Sequence, residues 1–195
     1  GRVHKELQMH AKPHIGINAD YRRAQGSQPS FSAVAAGYYD SILRAGGIPV
    51  VLPPLECEDD INSALDRLDG FLLIGGADLD PRNDGFMLHP AVKPMDTRRE
   101  KFDRLLARQL CSRRMPLLAI GVGLQLLNIT LGGNLFLHIP DDLPEAMPHK
   151  DPLDPAHRHG LAVVRGSLMD RVYGEGEIRV SSRHHMAIDE LAPEL

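Results

Sequence analysis

A chain of 195 residues, 43% of them hydrophobic, is long enough to bury one sizeable core, so a single domain is expected. Its net charge of −4 and pI near 6.2 argue against general affinity for nucleic acid, which requires a basic face. No apolar run approaches the roughly 20 residues that cross a bilayer, and the first residues lack the pattern of a secretory leader. We therefore expect a cytoplasmic protein without a membrane partner, in which Cys57 and Cys111 form no disulfide framework.

The chain is organised as alternating short apolar runs and amphipathic stretches. Residues 1–12 are polar and unpatterned, which predicts an N-terminal arm ahead of one domain over residues 13–195. Four apolar runs predict strands, at residues 14–19, 48–52, 70–74 and 116–120, the last of a kind that forms a fully buried strand. Apolar side chains at helical spacing predict a helix after each strand, beginning at Phe31, at Asp59 or Asp60, at Thr97 in a capping box with Glu100, and at Leu124.

The pattern changes after Gly132-Gly133. A segment rich in Pro and Asp, residues 140–155, leads to two further candidate strands at residues 159–164 and 177–181. The fold class that follows is α/β, a three-layer, doubly wound and mainly parallel sheet with helices on both faces and an antiparallel extension near the C-terminus.

Ligands of such sheets bind at the carboxyl ends of the strands, where this chain has polar and glycine-rich turns at residues 18–20, 75–78 and 121–123. Backbone N–H groups freed by these turns could hold an oxyanion or a carboxylate, or the glycines could simply permit tight corners. Gly121 and Gly123 could also begin a dinucleotide fingerprint, but Leu126 stands at the third glycine position.

An ordered set of short motifs gives the chain a family resemblance that runs from Pro13 over nearly all of its length. The motifs are AGGIP at 45–49, DGFLL followed by GGADLDP at 69–81, the helix start at 96–103, GLQLLN at 123–128 with the Gly132-Gly133 pair, and VSSRHH at 180–185. Together they resemble the class I glutamine amidotransferase-like superfamily, and within it the γ-glutamyl-γ-aminobutyrate hydrolases of the peptidase C26 group.

The resemblance implies an activity and a site. Members hydrolyse γ-glutamyl amides through a Cys nucleophile on a tight strand-to-helix turn, with a later His as base oriented by a Glu. Carried onto this sequence, the nucleophile position is residue 121. The oxyanion donors would come from Gly75, Gly76 and Val122, and the γ-glutamyl group would be contacted by Gln125, Ser182, His184 and His185.

Two departures from the family pattern bear on that activity. Gly121 occupies the nucleophile position and has no side chain with which to attack a carbonyl. The family's His-Pro-Glu segment lies further downstream than Leu195, so either the sequence is truncated or the segment is missing from it. Other thiols and hydroxyls do not replace the nucleophile: Cys111 falls at the opposite edge of the sheet, Cys57 lies in a loop, and Ser181 and Ser182 lack the turn.

Histidines and acidic residues suggest competing sites. His149, His157, His159, His184 and His185 cluster late in the sequence, and a metal-dependent hydrolase is therefore an alternative, although no organised carboxylate partner accompanies them. Asp78, Asp80 and Asp84 lack the spacing of a calcium loop, which favours a solvated turn.

The function expected from the sequence is that of a γ-glutamyl-hydrolase-like protein whose thiol chemistry is lost. It would act as a binding or regulatory protein for glutamine or a γ-glutamyl compound, with no cofactor and no metal. An active hydrolase and a scaffold that only oligomerises, including as a homo-oligomer, stay open as alternatives.

Overall fold

The computed structural model describes residues 11–195, so most of the predicted N-terminal arm, residues 1–10, lies outside the described residues. The strands are β1 His14–Asn18, β2 Asp20–Arg22, β3 Phe31–Ala33, β4 Ile48–Leu52, β5 Gly70–Leu73, β6 Leu117–Ala119, β7 Leu135–Phe136, β8 Arg158–Val163, β9 Gly176–Ser181 and β10 Ala187–Ile188. The α-helices are α1 Ala36–Arg44, α2 Glu58–Leu65, α3 Thr97–Arg113, α4 Val122–Thr130, α5 Ile139–Asp142 and α6 Leu168–Tyr173.

The four strands predicted from apolar runs form one parallel sheet in the order β4-β1-β5-β6. Its register places Ile17 opposite Val51 on one side and Leu72 on the other. All four carboxyl ends therefore meet at one edge, as the prediction of an α/β fold requires.

Alternation along β5 explains why the sheet needs helices on both faces. Phe71 and Leu73 point to one side and pack with α2 and α3 side chains such as Phe102. Leu72 and Ile74 point to the other side and pack with Ile17 of β1 and Ile42 of α1. Each face buries its own apolar cluster, and the predicted doubly wound arrangement is confirmed.

β6 differs from the prediction of a fully buried strand. It is an edge of the sheet within residues 11–195, and Leu118 keeps 63% of its surface exposed. Only the face that carries Leu117 and Ala119 packs against the core. An uninterrupted apolar run thus predicted the strand correctly but not its place at the edge.

The first predicted helix begins later than expected. Phe31 belongs to β3, which pairs with β2 in a small antiparallel hairpin, and its side chain is 47% exposed. Val34, Tyr38 and Tyr39 do pack with Ile42 against the sheet. Helix α1 itself begins only at Ala36, so Phe31 and Val34 matched the helical spacing without belonging to the helix.

Two helix caps differ from the sequence-based prediction. Asp96, rather than Thr97, caps α3, because its carboxylate accepts the Arg98 backbone N–H at 2.8 Å. Glu100 does not complete a capping box, since its carboxylate accepts the backbone N–H of Asp80 at 2.6 Å. Helix α2 begins at Glu58 after Cys57, which makes no side-chain cap.

The two late strands pair as predicted but form a sheet of their own. β8 and β9 are antiparallel, with α6 between them, and within the described residues they hydrogen-bond only to each other. β7 and β10 form another short antiparallel pair that brings the segment around residues 184–188 back against α4. None of the helices within residues 11–195 combines the length and the apolarity needed to span a membrane.

Candidate functional site

A cavity of about 930 Å³ opens at the carboxyl edge of the sheet, where the predicted glycine turns meet. Its floor includes Gly75, Gly76 and Gly121. Its walls come from the segment around residues 138–152 and from residues 183–186. The fold therefore brings together two parts of the chain that are far apart in sequence.

Gly121 stands between β6 and α4 in a backbone conformation that suits glycine. Its φ of 57° and ψ of −124° lie where side chains are strained. Space is not the constraint, because a Cβ built on Gly121 would meet only the Gly75 Cα, at 3.5 Å. The next amide, that of Val122 at the start of α4, has no hydrogen-bond acceptor within residues 11–195. The turn thus combines an amide that no described residue accepts with a position that carries no side chain.

The Gly75-Gly76 loop is held from below by a buried arginine. Arg99 has no exposed surface, and its Nη2 donates to the Gly75 carbonyl at 2.9 Å. Gly76 adopts a φ of 152°, and a Cβ there would collide with the Arg99 guanidinium. The Gly76 amide has no acceptor among the described residues, whereas the Gly75 amide donates to the Tyr38 hydroxyl at 3.1 Å. Of the two predicted loop donors, only Gly76 is free.

Arg99 is itself fixed by a network of buried polar groups. Its Nε lies 3.2 Å from the Asp103 carboxylate, and its Nη1 lies 3.3 Å from Asp20. Asn18 donates from Nδ2 to Asp103 at 3.0 Å and accepts the Ile74 backbone N–H at 2.8 Å. Burial raises the pKa of the Asp103 carboxyl to about 6, against the opposing attraction of Arg99 and the Asn18 hydrogen bond.

Helix α4 supports the cavity from the side. Gln125 is buried and lines the cavity, and its Nε2 donates to the Met186 carbonyl at 3.4 Å. Gly123 allows close packing of the helix on β5, because a Cβ there would lie 2.7 Å from the Leu73 carbonyl oxygen. Leu126 packs in the core. These contacts account for Gly123 without a dinucleotide.

Two histidines and an aspartate form a hydrogen-bonded chain in the cavity wall. His185 Nε2 lies 2.8 Å from the Asp78 carboxylate, and His185 Nδ1 lies 3.1 Å from His138 Nδ1. An ionised carboxylate only accepts hydrogen bonds, so His185 Nε2 carries a proton. When both rings are neutral, His185 Nδ1 accepts from His138 Nδ1, which leaves His138 Nε2 as an acceptor. The hydrogen-bonded chain thus selects one tautomer of each neutral ring.

His184 and Ser182, the other two residues predicted from the late motif, do not both line the cavity. His184 lines the cavity, and its Nδ1 is 2.7 Å from the Met186 carbonyl. Ser182 is only 2% exposed and is not a lining residue, since it lies beneath the wall with its hydroxyl 3.3 Å from His149 Nδ1. Burial, followed by the charges of His184, His159 and His157, lowers the pKa of His149. Ser182 thus supports the wall rather than lining the cavity.

The competing sites receive little geometric support. Within residues 11–195 no three His, Cys, Asp or Glu side chains are grouped as ligands for a metal ion. Asp78, Asp80 and Asp84 are not a solvated turn, because their side chains are each 17% exposed and pair with His185, Arg82 and Arg104. Cys111 lies near the end of α3, and burial raises the pKa of its thiol, whereas Cys57 is exposed.

Several lining residues were missed from the sequence. Tyr38 was assigned only to the core face of its helix, and His138 carries no local signal because its partner is 47 residues away. Lys93, Lys150 and Arg183 line the cavity, whereas Asp78, the carboxylate among the lining residues, is paired with His185. The cavity lining therefore carries an excess of positive charge. This excess arises because the fold brings separate basic residues together, and no run of basic residues in the sequence predicts it.

Comparison with known proteins matches both the fold and the sequence motifs. The model of the Peptidase C26 family matches residues 13–195. A provisionally named glutamine amidotransferase from Mycobacterium tuberculosis is 31% identical over 192 residues, which cover 93% of this chain and 59% of that protein. The γ-glutamyl-γ-aminobutyrate hydrolase PuuD of Escherichia coli K12 is 28% identical over 193 residues, which cover 94% of this chain and 74% of that enzyme.

A solved structure shows the same fold. A glutamine amidotransferase from Thermotoga maritima superposes with a TM-score of 0.59 at 14% identity, over 94% of this chain and 65% of the other. The chain spans less than two thirds of that protein and of the Mycobacterium relative.

Proposed function

Because the chain belongs to the peptidase C26 family, we propose that its cavity binds glutamine or a γ-glutamyl compound without thiol-dependent hydrolysis. Gly121 carries this proposal. It stands on the strand-to-helix turn where the family has its nucleophile, in a cavity that keeps free amide donors.

The donors of the floor suit an acyl oxygen. The amides of Gly76 and Val122 have no acceptor within residues 11–195 and belong to the two turns that meet below the cavity. Paired amide donors stabilise a carbonyl or carboxylate oxygen, and this interaction does not depend on a sulfur atom. Ligand binding therefore does not require the nucleophile.

The size and charge of the cavity favour a γ-glutamyl ligand over a small neutral one. Its volume of about 930 Å³ leaves room for an amine substituent beyond the glutamyl group. Lys93, Lys150 and Arg183 line it, which favours ligands that carry carboxylates. γ-Glutamyl-γ-aminobutyrate, the compound in the name of the Escherichia coli relative, is such a ligand.

The test is to measure binding and turnover on the same purified protein. Isothermal titration with L-glutamine and γ-glutamyl-γ-aminobutyrate is expected to show binding, and an assay for released glutamate is expected to show no rate above the protein-free background. Turnover above background would contradict the loss of hydrolysis, and a chelator arm would show whether that turnover depends on a metal. Absence of binding by either compound would contradict the binding proposal.

A matched pair of variants locates the binding. Ala146 lines the cavity, whereas Ala156 is an exposed alanine that does not. Ala146→Trp is expected to weaken binding at least tenfold by filling the cavity, and Ala156→Trp is expected to bind as the unmodified protein does. Equal effects of the two substitutions would exclude this cavity as the binding site.

A further inference from the structure

The Tyr38 hydroxyl covers the Gly75 amide at the floor of the cavity. The Gly75 N–H donates to Tyr38 Oη at 3.1 Å, and Tyr38 lines the cavity. A Cβ built on Gly75 would lie 3.0 Å from that oxygen. The Gly75 Cα is in turn the atom nearest to a Cβ built on Gly121, at 3.5 Å. Tyr38, Gly75 and Gly121 are thus neighbours at the floor.

The hydroxyl still has a proton to donate. A phenol oxygen both accepts and donates, and here it accepts the amide of Gly75. Within residues 11–195 Tyr38 Oη donates to no acceptor. A hydrogen bond accepted by a hydroxyl polarises its O–H bond and strengthens the bond that it donates. Tyr38 therefore offers a stronger donor than an isolated phenol.

We propose that Tyr38 binds the γ-acyl oxygen of the ligand through its hydroxyl, in place of the Gly75 amide and together with the free amides of Gly76 and Val122. The inference rests on the proposed function, because it assigns a contact within that ligand site. The Tyr38 hydroxyl and the two amides then form a group of uncharged donors. Such a group can bind either the γ-carbonyl oxygen of glutamine or a γ-carboxylate oxygen of glutamate.

A purely structural role for Tyr38 has to be separated from this one. Its ring packs beside the cluster formed by Ile17, Ile42, Leu72 and Ile74, and its hydroxyl holds the Gly75 loop. Tyr39 is its natural control, since it follows on the same helix and packs beside the same cluster.

The experiment titrates L-glutamine and L-glutamate into the unmodified protein, Tyr38→Phe and Tyr39→Phe. A donor bond to a neutral oxygen predicts that Tyr38→Phe weakens glutamine binding about 2- to 10-fold. A donor bond to a charged oxygen is stronger, so glutamate binding should weaken more, by about 10- to 100-fold. Tyr39→Phe is expected to change neither affinity.

Each alternative outcome is informative. Equal losses for the two ligands in Tyr38→Phe would indicate a structural role and overturn the proposal, as would an unchanged affinity for both. Binding of glutamine but not of glutamate by the unmodified protein would overturn the set of neutral donors while leaving the proposed function standing. Failure of the unmodified protein to bind either compound or γ-glutamyl-γ-aminobutyrate would instead refute the proposed function itself.

A second variant covers the case in which Tyr38→Phe does not fold. Site-specific replacement of Tyr38 by 3-fluorotyrosine keeps the ring and makes the hydroxyl a better donor. Glutamate affinity is expected to rise relative to the unmodified protein, with glutamine changing less. The absence of any rise would contradict a donor role for the hydroxyl.

Discussion

Glycine is required for different reasons in the two turns that meet under the cavity. At Gly76 a side chain has no room, because the guanidinium of Arg99 lies where its Cβ would be. At Gly121 a Cβ would meet only the Gly75 Cα, at 3.5 Å, and glycine is favoured by the backbone conformation alone. The first turn is therefore fixed by its neighbours, whereas the second has space for a side chain that the sequence does not supply.

This difference separates a rigid half of the site from an open one. The Gly75-Gly76 loop sits on Arg99, Asp103 and Asn18, which are all buried and all hydrogen-bonded. The Gly121 turn faces the cavity. Substitutions in the Gly75-Gly76 loop should consequently lower the stability of the fold. Substitutions at Gly121 should cost less stability and mainly change which groups face the cavity.

The largest effect is expected from Gly76→Ala. The added methyl group must displace a buried guanidinium and adopt a φ of 152°, so the free energy of unfolding should fall by about 4 kcal/mol. Urea denaturation measures it, with Gly37→Ala as the control. Gly37 lies in α1 with no atom within 4 Å of a built Cβ, and its substitution should be neutral or stabilising by up to about 1 kcal/mol. Similar losses of unfolding free energy in Gly76→Ala and Gly37→Ala would contradict a steric constraint specific to Gly76.

A smaller effect is expected from the charge of the buried network. The folded-state pKa of Asp103 is about 6 against an ordinary 3.8, so the folded protein binds this proton more tightly than the unfolded chain does. Its contribution to stability is complete below pH 3.8 and is lost as the pH rises through 6. The unfolding free energy of the natural protein, minus that of Asp103→Asn, should therefore fall by up to about 3 kcal/mol between pH 4 and pH 7. A difference that stays constant over this range would contradict the raised pKa.

The smallest effect is expected at the open turn. Gly121→Ala should lower the free energy of unfolding by about 2 kcal/mol, which is the cost of the backbone conformation without any collision. Gly121→Cys should cost the same within about 0.5 kcal/mol, because its sulfur extends from a position without close neighbours. Denaturation of the two variants side by side provides the measurement. A cost equal to that of Gly76→Ala would show that the turn is not open.

The strands of the central sheet could be predicted because each one is a short apolar run that can be recognised without knowledge of its neighbours. The apolar runs that became β1, β4, β5 and β6 are short, rich in branched residues and bounded by Gly or Pro on at least one side, which is typical of parallel strands. The β2–β3 hairpin was missed because its strands have three residues each and Phe31 is exposed. Short exposed strands have no apolar alternation to recognise.

The site was predictable only in part, for a related reason. The motifs located seven residues that the fold brings to one cavity: Gly75, Gly76, Gly121, Val122, Gln125, His184 and His185. Ser182 was placed with them but lies beneath the wall. The contacts of Tyr38 with Gly75 and of His138 with His185 join residues 37 and 47 positions apart, and no spacing rule connects such pairs. Their roles follow from tertiary structure alone.

The contact between Gly76 and Arg99 also constrains how this protein can change over generations. Loss of the guanidinium at position 99 would relieve the collision of an alanine at position 76 but not the strain of its φ, and it would leave the Asp103 carboxylate buried without its cation. The effects of substitutions at positions 76, 99 and 103 on stability are therefore expected to be non-additive, because the three residues are in contact. In a randomised library, survivors should couple residues 76, 99 and 103, while position 121 varies independently of them.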